Sequence, residues 1–275
     1  MSRPPPLGGL AETVLDPGDH ICALYSGPQE RDAMLAPYLH AGLAAGAKCM
    51  CIIEAAEQTN LLDSVRRGGG VDVDDCIDRG QLELFTAADS YLRSSTFSSQ
   101  GMVRFWTDSL DETFGPAGYE VAHIAGDTSG LGDAVADDFA EFAVYESELN
   151  RLAERYPQTV LCLYDVRQVG GGMVVELLRT HRKVLLGGLV LENPHYLSPD
   201  EYVATRRVRA WAALTDGERR IADLAAQGLS TAEIAVRAEQ ERFIIDKDLH
   251  RIFRTLGLSS RQELVRFVTE RRSSE

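Results

Sequence analysis

The chain has 275 residues, a formal net charge of −14 at pH 7 and 44% hydrophobic residues. That apolar content supports a buried core and excludes wholesale disorder, and the length suits one large domain plus one small one. No run of about 18 apolar residues and no leader-like N-terminus occurs, so neither a membrane span nor a signal peptide is expected, and a cytoplasmic protein is the default.

Residues 1–14 are rich in proline and glycine and read as a flexible arm. Apolar runs then alternate with amphipathic stretches. HICALY (His20–Tyr25) is strand-like, and residues 29–45 have helical spacing with Pro37 as a kink point. CMCIIE (49–54) reads as a buried strand, residues 61–67 as a helix stopped by Gly68, Gly69 and Gly70, residues 82–86 as a strand and 102–114 as a helix. VAHIAG (121–126) is a strand, 134–156 a long helix stopped by Pro157, TVLCLYD (159–165) a strand, 174–179 a helix, and 184–191 one strand or two around Gly187 and Gly188. Continuous apolar strands alternating with helices predict a three-layer α/β domain over about residues 15–200, with a mostly parallel sheet covered on both faces. From Pro199 the pattern is helix only. A connecting helix (199–211) precedes four short ones at 216–227, 231–238, 242–256 and 260–271, with Gly228 and Gly257 as stops and Ser230 as a cap.

Charge divides with the pattern. Residues 1–204 carry a net −17 and residues 205–275 a net +3, as expected of an acidic sensing domain joined to a DNA-facing tail, or of two parts that attract each other. The five cysteines (Cys22, Cys49, Cys51, Cys76, Cys162) show no CxxC pair and are expected to be buried free thiols. No metal, cofactor or enzyme is expected, because GxSxG, HExxH and a Cys/His nucleophile arrangement are all missing. Asp72, Asp74 and Asp75 lack the following Gly and Glu of a calcium loop. Asp137–Asp138 and Glu146/Glu148 read as solvated or capping carboxylates.

LTDGERRIADLAAQGLSTAEIA followed by HRIFRTLGLSSRQEL resembles the DNA-binding domain of the LuxR family, without a gap from Leu214 to Gly257. The resemblance implies a helix-turn-helix in residues 204–275, with residues 242–256 as the reading helix in the major groove. It implies DNA contacts from Ser230, Thr231, Arg242, Ile244, Ile245, Lys247, Arg251 and Arg254. Asp246 and Asp248 stand where the family has basic or polar residues, and carboxylates there repel phosphate. The alternative is therefore a helical module that regulates a partner protein.

The early chain has the strand–loop–helix layout of RecA- and KaiC-like ATPases, but the loop Ser26-Gly27-Pro28-Gln29-Glu30-Arg31 lacks the Lys and Ser/Thr of a P-loop. GDHICALY (18–25), PYLHAGLAAG (37–46), YESELN (145–150), LCLYDVR (161–167) and THRKVLLGGLVLENPHYLSPDEY (180–202) resemble the MEDS sensory domain, which places that domain at residues 15–203. The resemblance implies a RecA-like fold without its ATPase site that senses a small organic molecule. Open α/β sheets bind ligands at the carboxyl ends of their strands. Tyr25, Asp127, Asp165 and Arg167 end strands there, and His20, His123 and Tyr164 complete the candidate ligand set. Duller readings stand beside these: Tyr25 packs, Asp165 and Arg167 form a structural ion pair, and the scattered His20, His123 and His181 are hydrogen-bonded core. A homodimer is expected from family habit.

Overall fold

Seven strands form one sheet in the computed structural model, which describes residues 15–92, 97–131, 139–186 and 188–273. They are β1 (His20–Tyr25), β2 (Lys48–Ile52), β3 (Leu82–Phe85), β4 (Ala122–Asp127), β5 (Gln158–Asp165), β6 (Lys183–Leu186) and β7 (Leu189–Glu192). Their order is β3-β2-β4-β5-β1-β6-β7. All neighbours are parallel except β6 and β7, which pair as an antiparallel hairpin. Every residue of β2, β4 and β5 is buried, so these strands have no solvent-facing side, and their polar residues Lys48, His123, Asp127, Gln158, Thr159 and Asp165 lie at or next to the strand ends.

Side chains leave the sheet with period two and build two cores. Ile21, Ala23, Cys49, Cys51, Leu161 and Leu163 face one side, where α1 (Pro28–Ala44), α2 (Ala55–Arg66) and α3 (Val73–Asp78) supply Leu35, Tyr38, Leu39, Leu61, Val65 and Cys76. Cys22, Met50, Ile52, Val160, Cys162 and Tyr164 face the other. There α4 (Ser99–Phe114), α5 (Phe139–Arg155) and α6 (Gly171–Thr180) supply Trp106, Leu110, Phe142, Tyr145, Leu149 and Leu177. All five cysteines are free and buried, as expected. The short α3 was not expected. Asp72 begins it, its carboxylate accepting from the Asp75 amide at 3.1 Å, so the acidic run is a helix start. Residues 132–138, where the long helix was expected to begin and where Asp137 and Asp138 lie, fall outside the described residues, as does the N-terminal arm.

The chain divides between Pro199 and Asp200 into two compact units. The second contains α7 (Pro199–Ala213), α8 (Asp216–Ala226), α9 (Thr231–Ala238), α10 (Arg242–Leu256) and α11 (Arg261–Ser273) around a core of Trp211, Ile221, Ile234, Ile245, Leu249, Ile252, Leu256, Leu264 and Val268. Reciprocal capping boxes start α8 (Thr215 with Glu218) and α9 (Ser230 with Glu233), and Gly257 in the left-handed region ends α10.

Helix α1 lies close on the sheet at Gly42. A β-carbon there would come within 2.7 Å of His123 Nδ1 and 2.8 Å of Cys49 Sγ. Both neighbours are buried, so neither yields cheaply. Gly42→Ala is expected to destabilise the protein by about 1–3 kcal/mol through overpacking, despite the better helix propensity of alanine. Urea unfolding followed by circular dichroism checks this, and an unchanged or raised midpoint would contradict the packing.

Candidate functional site

Helix α1 leaves the carboxyl end of β1 toward one face of the sheet, and α6 leaves neighbouring β5 toward the other. The loops part there and leave a crevice at the strand ends, the usual ligand position in such sheets. It is a cleft of about 320 Å³ lined by Tyr25, Arg31, Glu54, Glu57, Ser129, Asp165, Arg167 and Gln168.

Asp127, the last residue of β4, organises its floor. The Tyr25 hydroxyl donates to Asp127 Oδ1 at 2.8 Å, the Ser129 amide to the same oxygen at 3.0 Å, the Ser129 hydroxyl to Oδ2 at 2.8 Å and Arg31 Nη1 to Oδ2 at 3.1 Å. Arg31 also bonds Asp32 at 2.9 Å and Glu57 at 2.8 Å. Burial opposes its charge, but these carboxylates more than offset it and hold the guanidinium protonated. Burial and the adjacent Asp127 push the Tyr25 hydroxyl well above its usual pKa, so it remains a donor. On the rim, Arg167 Nε bonds both Asp165 oxygens at 2.9 and 3.0 Å, and this guanidinium holds the Asp165 carboxyl below its usual range. The Ser26 amide donates to Glu30 Oε2 at 2.7 Å.

Four of the expected ligand residues, Tyr25, Asp127, Asp165 and Arg167, therefore meet at one place, with Asp165 and Arg167 as an ion pair. Three do not. His20 opens β1 at the opposite end of the strand and is wholly buried among Asn150, Glu146, Cys162 and His181. Tyr164 precedes Asp165, so the strand period turns it to the other face, 3.5 Å from His181. His123 stacks on Tyr38, ring centroids 4.9 Å apart, under α1. Arg31, Glu54 and Glu57 were missed because helices and a loop supply them. The signal for Arg31 was its place on the buried stripe of α1 with Met34, Leu35, Tyr38 and Leu39. Glu146 also departs from expectation. It shares the inward face of α5 with Phe142, Tyr145, Leu149 and Asn150 and is fully buried.

In the helical unit, α9 and α10 are joined by a three-residue turn in which Glu239 adopts φ 54°. Ile245, expected to face a groove, is fully buried against Ile234 in the core. The exposed side of α10 carries Arg242, Phe243, Lys247, His250, Arg251 and Arg254, with Ile244 and Asp246 half-buried. Arg251 bonds Asp248 at 2.8 Å and Glu218 at 2.6 Å. Exposed Ser230 caps α9, and Thr231 follows it, half-buried.

Burial lowers the His123 pKa to about 4 from 6.5. Between these values the unfolded chain binds the proton and the folded chain does not, so stability falls as pH drops from 6.5 toward 4. At pH 5 the loss from this residue is about 2 kcal/mol. His123→Gln is expected to flatten the fall in stability between pH 7 and pH 5, measured by urea unfolding, and an unaltered slope would contradict the assignment.

The chain has a relative in the transcriptional repressor DcmR of Methylorubrum extorquens, 32% identical over 169 residues. The match covers 59% of this chain and 58% of that protein, so it spans little more than half of the relative's length. Among solved structures, the flagellar accessory protein FlaH of Methanocaldococcus jannaschii aligns with a TM-score of 0.43 at 8% identity over 66% of this chain and 78% of its own. The response regulator StyR aligns with a TM-score of 0.24 at 12% identity over 82% of this chain and all of its own. Both scores lie below the level at which a shared fold follows. The family model of the MEthanogen/methylotroph DcmR sensory domain matches residues 19–182, and the chain belongs to that family, MEDS.

Proposed function

We propose that the chain is a ligand-responsive transcription regulator in which a sensory domain, residues 15–203, binds a small organic molecule and controls a LuxR-type helix-turn-helix in residues 204–275. The observation that carries this reading is the joining of a MEDS domain, with a cleft at its strand ends, to a separate helical unit that exposes Lys247 and Arg254 on one helix. A relative whose name is that of a transcriptional repressor supports it. The reading makes the protein a non-enzymatic, cytoplasmic homodimer. It takes the α/β domain as RecA-like but without nucleotide chemistry, since Glu30 occupies the Ser26 amide and the loop lacks the Lys and Ser/Thr of a phosphate-binding loop. Control requires the ligand to bind two states of the protein unequally.

Acidic groups outnumber basic ones around the cleft. Glu54, Glu57, Asp127 and Asp165 stand against Arg31 and Arg167, so the site favours an uncharged or cationic molecule over a phosphate. Magnesium ATP is expected to leave the melting midpoint of the full chain unchanged, and a clear upward shift would restore a nucleotide-binding reading.

DNA binding is tested by fluorescence anisotropy of the full chain on its own upstream DNA over a salt series. Affinity is expected to fall as salt rises, and Lys247→Ala or Arg254→Ala to reduce the salt slope by about 1 each. Asp246 and the paired Asp248 favour a second reading, a regulator of a partner protein. That reading prevails if the wild type binds no DNA while an Asp246→Lys/Asp248→His variant does.

A further inference from the structure

The side chains of His20, Glu146, Cys162 and His181 meet in the interior on the α5–α6 side of the sheet, with His20 at the end of β1 opposite the cleft. They come from the start of β1, the middle of α5, β5 and the residue after α6. Their potential ligand atoms lie within 4.8 Å of one another, and all four residues are buried. His20 Nε2 is 3.3 Å from Cys162 Sγ and 3.4 Å from Glu146 Oε2, and His181 Nε2 is 3.3 Å from the same oxygen.

The outer nitrogens decide what the inner ones present. His181 Nδ1 lies 2.8 Å from the Leu177 carbonyl, which only accepts, so Nδ1 carries the proton. Asn150 Nδ2 donates to the carbonyls of Ser147 and Thr180, so Asn150 Oδ1, 3.3 Å from His20 Nδ1, is an acceptor there too. With Nδ1 carrying the proton, the neutral form of each ring aims an Nε2 lone pair inward at the Glu146 carboxylate. Neither Glu146 oxygen has an aligned hydrogen-bond donor, although the side chain is fully buried. The Tyr164 hydroxyl, 3.5 Å from His181 Nε2, is at the limit of a hydrogen bond. Lone pairs converging on a buried carboxylate without an aligned donor repel one another, and a cation at their centre turns that repulsion into coordination.

We infer that His20, Glu146, Cys162 and His181 form a buried binding site for a divalent first-row transition ion of the zinc class. The donor set is two imidazoles, one carboxylate and one thiolate, the ligand types zinc accepts, and four protein ligands make a closed tetrahedral site of the structural kind. Tetrahedral bonds of about 2.0–2.3 Å separate ligand atoms by about 3.3–3.6 Å, which the shortest observed distances match. A doubly charged ion with Glu146 and the Cys162 thiolate is neutral overall, as a dry interior requires. The acceptors on each histidine Nδ1 are the outer partners that orient metal-bound imidazoles. Binding releases the thiol proton to solvent, and since no ligand is exposed, the ion enters as the chain folds.

The test uses untagged full-length protein, as purified and after refolding with excess Zn2+ or Co2+, followed by gel filtration and elemental analysis. One ion per chain is expected. The Co2+ form is expected to show a thiolate-to-cobalt charge-transfer band in the near ultraviolet, which Cys162→Ser loses. Refolding with a chelator is expected to lower the melting midpoint. Substoichiometric metal in every wild-type preparation would overturn the site and leave a proton-sharing network of the same four side chains. Stoichiometric Co2+ without the thiolate band would also overturn it, by placing the ion elsewhere. Both decisive readouts come from the wild type, so they hold even if the Cys162→Ser variant fails to fold.

Discussion

A carboxylate at the buried end of a central strand is tolerable only if donors meet it, and Asp127 is met by four: a phenol, a guanidinium, an amide and a hydroxyl. This requirement ties together segments distant in sequence. β1 must end at Tyr25 in register with Asp165 of β5, and α1 must begin close enough for Arg31 to reach back. Arg31 must in turn be neutralised, which draws in Asp32 and Glu57 and so fixes α2 against α1. The cleft is what remains above this network, and two of its acidic groups, Asp127 and Glu57, are those that keep one buried arginine charged.

The parallel sheet was legible because strands buried on both faces need apolar middles, and β2, β4 and β5 keep their polar residues at or next to their ends. The convergence of Tyr25, Asp127, Asp165 and Arg167 was legible for a related reason, since strand ends are marked where apolar runs stop. Side-chain direction was harder. The stripe Ile245, Leu249, Ile252, Leu256 has the spacing of a buried helix face and places Lys247 and Arg254 outward, yet positions carried across from a resemblance put Ile245 in the groove. The helix lies where the resemblance put it, and of the residues named on it only Ile245 is turned wholly into the core.

Glu146 and Arg31 were harder to read for a deeper reason. A charged residue on an apolar helix face reads as an interruption when only its own helix is in view, and becomes sensible once its partners arrive from elsewhere. The partners of Glu146 stand 126 positions before it, at His20, and 35 after it, at His181. No local spacing encodes that, and only the order of the strands brings the four side chains together.

The bond between Ser26 and Glu30 has a consequence for competition. A carboxylate tethered four residues from the amide it occupies acts at the effective concentration of an intramolecular ligand, in the millimolar range for short flexible connections. A free anion at cellular levels meets an incumbent that never diffuses away. The loop therefore carries its own resident carboxylate, which any free anion must displace to reach the Ser26 amide.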